Sequence, residues 1–293
     1  MKKIYLLVLL ALSLASCHKD IQREEDEENL PQITEESFQL AYTESEIDML
    51  TEAIEVNIDV ISASSEILDG LITKAKPICP TISVGRETEA RFPQTVTIDY
   101  QDGCKGKREH DISGIVYIYK TSSWMDEGAT QTITFENFVI DDIQVSGTLV
   151  ITFQGGQNGV YGFSASSDLT FTWSDGFWIK RVQEKTRSFI AGFDTPDVSD
   201  DNILQITGSI TDTTSEGMTY SKTIVDPLTA KLDCSYFVSG QIDIQTNGEL
   251  VFTLDYGDGT CDNKATITKN NDSKEINLDR KRTIKNNNAN ASN

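Results

Sequence analysis

Histidine is almost missing from this sequence, with two in 293 residues, His18 and His110. A histidine base therefore has one candidate outside the N-terminal region, His110, which follows the charged loop Lys105-Gly-Lys-Arg-Glu109. No G-x-S-x-G nucleophile motif accompanies it, and it reads as an exposed loop histidine. CxxC pairs are missing too, so the cysteines lack zinc-ligand spacing and no metal site is expected. The glycine-rich phosphate fingerprints of Rossmann and P-loop proteins are absent, and no cofactor is expected. Positive charge is also scarce, at 25 Lys and Arg against 46 Asp and Glu, a formal net charge of −21. Nucleic acid is bound by basic clusters that release counterions, so this balance sets nucleic-acid partners aside. Paired carboxylates for glycoside hydrolysis are available, but a chain this acidic offers such pairs everywhere, and they point to nothing. The apolar run Ile4 to Leu14 is too short to span a bilayer.

That run, behind Met1-Lys2-Lys3, has the charged start and short apolar stretch of a secretory signal. Leu14-Ala15-Ser16-Cys17 then resembles the lipobox of bacterial lipoproteins. The resemblance implies cleavage after Ser16 and diacylglycerol on the Cys17 sulfur. Each buried methylene of an acyl chain adds about 0.8 kcal/mol, so several chains give stable anchoring. Residues 1–16 are accordingly the signal peptide, and residues 17–32, with Arg23-Glu-Glu-Asp-Glu-Glu28, an acidic flexible tether. The acidic run resembles segments that route Bacteroidota lipoproteins to the cell surface; a solvated spacer explains the same residues.

Four cysteines remain: Cys79, Cys104, Cys234 and Cys261. In an oxidising envelope an even count reads as disulfides, with three connectivities open. An internal repeat chooses among them. Val96-Thr-Ile-Asp-Tyr-Gln-Asp-Gly-Cys104 and Phe252-Thr-Leu-Asp-Tyr-Gly-Asp-Gly-Thr-Cys261 each run a strand into an Asp-Gly turn and a cysteine. Each has a second cysteine upstream at similar range. Around the turn Thr246-Asn247-Gly248, Cys234 and Cys261 fall nearly opposite each other, as disulfide geometry demands. The expected bridges are Cys79–Cys104 and Cys234–Cys261. Asp255, Asp258 and Asp262 around the second turn could hold calcium, yet they do not follow the EF-hand ligand order, and turn formation explains them without an ion.

Residues 33–76 read as helical. Thr43-Glu-Ser-Glu46 offers a capping box, and Ile47, Leu50, Ile54, Ile58 and Ile61 step at helical spacing, one stripe to be buried. Ser64 and Ser65 mark the start of a second, turn-delimited helix. From Cys79 to Leu278 the chain alternates with period 2, as in Leu169, Phe171 and Trp173 against Thr170, Thr172 and Ser174. Such alternation gives one dry and one wet face, so the fold class is mainly β: an antiparallel sandwich or meander with an internal repeat, plus the N-terminal helical segment. Ser/Thr-Gly steps ending at Gly114, Gly147, Gly208 and Gly240 mark bulges, or places where an aromatic or the helix comes close. Asp194 to Asn202 separates a first β half, 77–193, from a second, 194–278; residues 279–293 read as a disordered tail.

Flat aromatic rings suit sugar stacking, and Trp178 and Trp124 are the candidate ligand-binding residues. Trp173 shares parity with Phe171 and is read as core, with Trp178 covering the sheet surface. The lipobox at Cys17, Phe92 to Tyr100 with Gly103-Cys104, Gly208 to Tyr220, Asp226-Pro-Leu228 with Cys234, and Asp255 to Ala265 together resemble a group of uncharacterised Bacteroidota lipoproteins. That resemblance attaches no activity. The expectation is a non-enzymatic protein lipid-anchored at the outer membrane, on its periplasmic or surface face. Its role is structural or interaction-based, with an envelope protein or a glycan as partner. The alternatives are a glycan-binding module of a polysaccharide-uptake system and, third, a glycoside hydrolase-like enzyme.

Overall fold

The computed structural model describes residues 32–68, 79–105, 109–124, 126–157, 160–193 and 201–283, with helix side chains up to Glu55. The signal peptide, Cys17, the tether up to residue 31 and residues 284–293 lie outside these.

Alternation produces strands wherever it was read. They are β1 (Thr81–Arg86), β2 (Gln94–Asp99), β3 (Cys104–Lys105), β4 (Asp111–Lys120), β5 (Thr130–Ile140), β6 (Ile143–Gln157) and β7 (Val160–Thr172), then β8 (Trp178–Ala191), β9 (Ile203–Thr214), β10 (Thr219–Lys231), β11 (Ser239–Thr246), β12 (Glu249–Asp258), β13 (Lys264–Lys269) and β14 (Asp272–Asn277). All fourteen form one antiparallel sheet in which each strand pairs with its sequence neighbours, apart from short β3, which continues β2 along β4. The arrangement is a meander. Its turns carry the residues their backbones require: Asn247 and Gly248 both have positive φ between β11 and β12.

The expected halves share this sheet, because β8 and β9 pair from Ile179↔Thr214 to Ala191↔Ile203. What changes there is the core. One apolar cluster gathers Val96, Ile118, Leu149, Phe163 and Phe171, and another gathers Leu204, Ile206, Ile244, Phe252 and Ile267. Both disulfides form as expected, Cys79–Cys104 and Cys234–Cys261, with Cα separations of 5.7 and 5.8 Å. Each closes the open end of a hairpin, β1–β2 or β11–β12. At Gly147 and Gly208, φ is +115° and +141°, and a Cβ would meet the carbonyl oxygen of Asp168 or Glu184 on the next strand. The close neighbour is therefore strand backbone, where an aromatic ring or the helix was one expectation. Gly114 and Gly240 lie at register shifts, the other expectation.

Helix α1 (Glu35–Leu68) lies within the expected 33–76, begins ahead of the capping box read at Thr43 and continues through Ser64 and Ser65 without a break; residues 69–76 lie outside the described residues. Thr34 and Ser37 cap it reciprocally: Ser37 N donates to Thr34 Oγ1 and Thr34 N to Ser37 Oγ, both at 3.3 Å. The expected box at Thr43 sits inside the helix, where Thr43 Oγ1 donates to Gln39 O at 2.8 Å. Burial is the larger correction. Residues 41–48 and 50–55 are buried without interruption, so this stretch of the helix buries every side and not one stripe. Ile47, Leu50 and Ile54 enter the first core; Ala41 and Tyr42 enter the second. The inner face of the sheet therefore curls around α1.

The segment after β14 is also docked, up to Thr283. Arg282 Nη2 donates to Asp175 Oδ1 and Oδ2 at 2.9 and 2.8 Å, and its guanidinium lies 4.3 Å from the Phe177 ring centroid. Thr283 N donates to Gln39 Oε1 at 2.9 Å. The tail expected from 279 is thus ordered through 283, because one arginine finds both a carboxylate and an aromatic face.

Candidate functional site: a buried ion-pair seam

Strand β8 turns Ile179, Arg181, Gln183, Lys185 and Arg187 inward, all buried, and Lys180, Val182, Glu184 and Thr186 outward. Its inner face is thus the charged one. A row of cations inside a protein persists only if anions meet it. Those anions come mainly from α1, whose Glu44, Asp48, Glu52 and Glu55 recur at i, i+4, i+8 and i+11, a single helical stripe.

Arg181 is the hub. Its Nε and Nη2 donate to Asp212 Oδ1 and Oδ2 on β9 at 2.9 and 2.8 Å, a bidentate pair between residues directly opposite in the ladder. Nη1 reaches Asp48 Oδ1 and Nη2 reaches Glu44 Oε2, both at 2.7 Å. Lys222, from β10, donates to Asp212 Oδ2 at 2.5 Å and to Glu44 Oε2. Tyr256, from β12, donates to Asp48 Oδ2 at 2.9 Å. One turn further along α1, Arg187 meets Glu52 Oε2 at 3.1 Å and Glu55 Oε2 at 2.7 Å.

Electrostatics follow from burial and pairing. Burial pushes the Asp212 carboxyl up, partly opposed by Arg181, and pushes the Lys222 ammonium well down. Burial works against charge on Arg181, but Asp212 and Asp48 more than offset it and hold its pKa above the ordinary value. Burial, with Asp48 beside it, raises the Tyr256 phenol well above its usual range. Glu46, on another side of α1, is also raised by burial, against the hydrogen bond it accepts from Trp173 Nε1 at 3.2 Å. Apart from Glu46, these perturbed groups meet around Arg181 in the interior, where they tie α1 to β8, β9, β10 and β12.

The residues singled out from sequence are dispersed. Trp124 stacks on Phe163 with centroids 4.5 Å apart, against the first core. Trp178 lies on the outer face, 36% exposed, so the two tryptophans address opposite sides of the sheet. Trp173 is buried as read. His110 is not the exposed loop residue expected. It is 6% exposed, its Nδ1 lies 2.5 Å from Asp141 Oδ2, and Asp141 Oδ1 accepts from Asp111 N at 3.0 Å. Burial pushes Asp141 up, but His110 and the Asp111 amide outweigh it and leave the carboxyl below its usual range. Asp255, Asp258 and Asp262 accept from the amides of Gly257, Thr260 and Lys264, the turn-forming role. Among the described residues, no group of three or more His, Cys, Asp or Glu is placed to hold a metal ion. An open groove of about 790 Å³ runs past Phe38, Tyr42, Glu275 and Arg280, beside β14.

Sequence reasoning missed the seam, although a signal existed: four acids at helical spacing and, in β8, bases at every second or fourth position. No family model, curated protein or solved structure matches the chain.

Proposed function

We propose that this is a lipid-anchored protein of the cell envelope, at the outer membrane, with a structural or interaction role. The observation that carries the proposal is the cysteine accounting. Four cysteines are committed to two disulfides, the chemistry of an oxidising compartment, and the fifth, Cys17, ends a lipobox-like motif. A non-enzymatic role fits the seam, whose perturbed groups Asp212 and Lys222 are 1% and 2% exposed and bonded to each other. The test is metabolic labelling with radioactive palmitate in a Gram-negative host, beside Cys17→Ser. Label and membrane retention in the parent, both lost in the variant, are expected; equal membrane retention without label would refute anchoring. Crosslinking in the intact envelope then tests the interaction role, with a discrete adduct expected only for the anchored protein.

A second reading, glycan binding, is favoured by two aromatic rings on the outer face. Tyr119 is 38% exposed between Thr95 and Thr132 on the flanking strands, and Trp178 is 36% exposed opposite Thr172. Three strands, β5 to β7, separate β4 from β8, about 19 Å sideways at about 4.8 Å per step, and the ladder from Tyr119 through Thr132, Val150 and Ser166 arrives at Glu184, well along β8 from Trp178, so the rings are too far apart for one sugar. Affinity electrophoresis against a polysaccharide panel, with Trp178→Ala and Tyr119→Ala, distinguishes two platforms from none.

A further inference from the structure

We infer that the β7–β8 turn and the facing side of α1 form a binding site for arginine, filled here by Arg282 of the same chain and open, by exchange, to an arginine-bearing basic segment of another protein.

The turn builds this site from its own backbone. Trp173 N donates to Phe177 O at 2.9 Å and Gly176 N to Trp173 O at 3.0 Å, which sets the two rings 5.5 Å apart. Asp175 Oδ1 accepts from Phe177 N at 3.1 Å, so the carboxylate is aimed without help from any arginine. The Trp173 indole is fixed in turn by donating Nε1–H to Glu46 Oε2 of α1 at 3.2 Å. A guanidinium fits what results. That of Arg282 lies 4.3 Å from the Phe177 centroid and 5.2 Å from that of Trp173, while Nη2 reaches both Asp175 oxygens. A carboxylate beside an aromatic wall suits a planar, weakly hydrated cation, whereas a lysine ammonium is a strongly hydrated point charge.

The occupant is held in a replaceable way. Arg280 N donates to Asn277 O, and beyond it residues 281–283 make no backbone–backbone hydrogen bond among the described residues. What remains is the Arg282 side chain, the Lys281 ammonium 3.8 Å from Glu46 Oε1, and Thr283 N donating to Gln39 Oε1 at 2.9 Å. None of these contacts requires the segment to arrive from β14. The site reads an arginine followed by a residue with a free N–H, on a chain with more positive charge beside it. A formal net charge of −21 draws such a segment toward the molecule. The inference rests on the interaction role proposed above and not on the lipid anchor, and the two fail separately.

The test titrates an end-blocked peptide, Asp-Arg-Lys-Arg-Thr, into the full disulfide-intact chain carrying Arg282→Ala, read by tryptophan fluorescence, since Trp173 walls the site. Saturable binding with a dissociation constant in the millimolar range is expected. In the parent, tethered Arg282 competes at an effective concentration of about millimolar, so binding should be several-fold weaker. Adding Asp175→Asn, which removes the charge-assisted bond, should weaken binding by about tenfold or more. Lysine in place of the peptide's second arginine, and proline in place of its threonine, should each weaken it too. Equal binding of the lysine peptide, or binding indifferent to Asp175→Asn, would show diffuse attraction to an acidic chain. No saturable change up to about 10 mM peptide would show that the site serves Arg282 alone. Either result overturns the inference. If Arg282→Ala does not fold, the parent decides, because competition lowers the apparent affinity without abolishing it.

Discussion

Replacing Arg181 by methionine tests the seam where it is most connected. The substitution keeps most of the buried volume and removes four hydrogen bonds, two to Asp212, one to Asp48 and one to Glu44. Three carboxylates then face Lys222 and Tyr256 in a dry interior. Breaking a buried ion pair from one side costs about 3–5 kcal/mol, because the abandoned charge stays buried. For a domain of this size each kcal/mol moves the melting point by about 2–4 °C, so a fall of about 6–20 °C is expected at neutral pH. The pH dependence is the sharper reading. Burial already raises Asp212, and losing Arg181 raises it further, so the variant's folded state takes up a proton that the parent's does not. Stability lost at neutral pH should therefore return as pH falls. One extra proton bound over two pH units recovers at most about 2.7 kcal/mol. Urea unfolding at pH 7 and pH 5, with disulfides intact, gives both numbers. A loss below about 1 kcal/mol, as for solvated pairs, or a loss unchanged between the two pH values, would refute the reasoning.

Other perturbations follow from the same structure. The Cys234–Cys261 bridge closes a separation of 27 residues, for which the chain-entropy relation gives about 3.5 kcal/mol; the double serine variant should lose about that much in urea, and non-reducing peptide mapping of the parent should recover this pair and Cys79–Cys104. Gly208→Ala puts a Cβ against the Glu184 carbonyl at φ +141°, where no flexible side chain can yield, and should cost about 1–3 kcal/mol by the same assay. At Asp175, burial pushes the carboxyl up, but Arg282 and the Phe177 amide more than offset it and leave it lowered. The anchoring of residues 279–283 is therefore complete above the ordinary carboxylate value near 3.9 and lost as pH falls through the lower folded value. An acid titration should show a Trp173 fluorescence change below about pH 3.9 that Arg282→Ala lacks, and that variant should be clipped near its C-terminus by trypsin at neutral pH.

Much of the sheet was legible because local alternation and turn residues define it. Val145, Leu149 and Ile151, or Phe252 and Leu254, announce an inner face by themselves, and Asn247-Gly248 fixes a hairpin register that brings Cys234 to Cys261. Strand β8 shows the limit. Period 2 identifies two faces but does not say which is inside, and hydropathy would turn Val182 inward and Arg181 outward. The structure does the reverse, because Glu44 and Asp48, more than 130 residues earlier, meet Arg181. The same blindness made Ile47, Leu50 and Ile54 look like the only buried stripe of α1. A helix enclosed on all sides has no solvent face to contrast with its core face, so amphipathic pattern understates its burial. His110 and Arg282 are smaller cases, each drawn in by a single distant carboxylate, Asp141 or Asp175.

The position of α1 at the start of a meander has a consequence for the folding chain. Strands find their partners within a hairpin, but Asp48 waits for Tyr256, 208 residues away in the chain, a far slower contact to close. A helix destined to be enclosed would ordinarily be clad in leucine and isoleucine, and through such a delay it would invite aggregation. Glu44, Asp48, Glu52 and Glu55 let the helix stay hydrated until the last strands arrive, when their bases take the place of water.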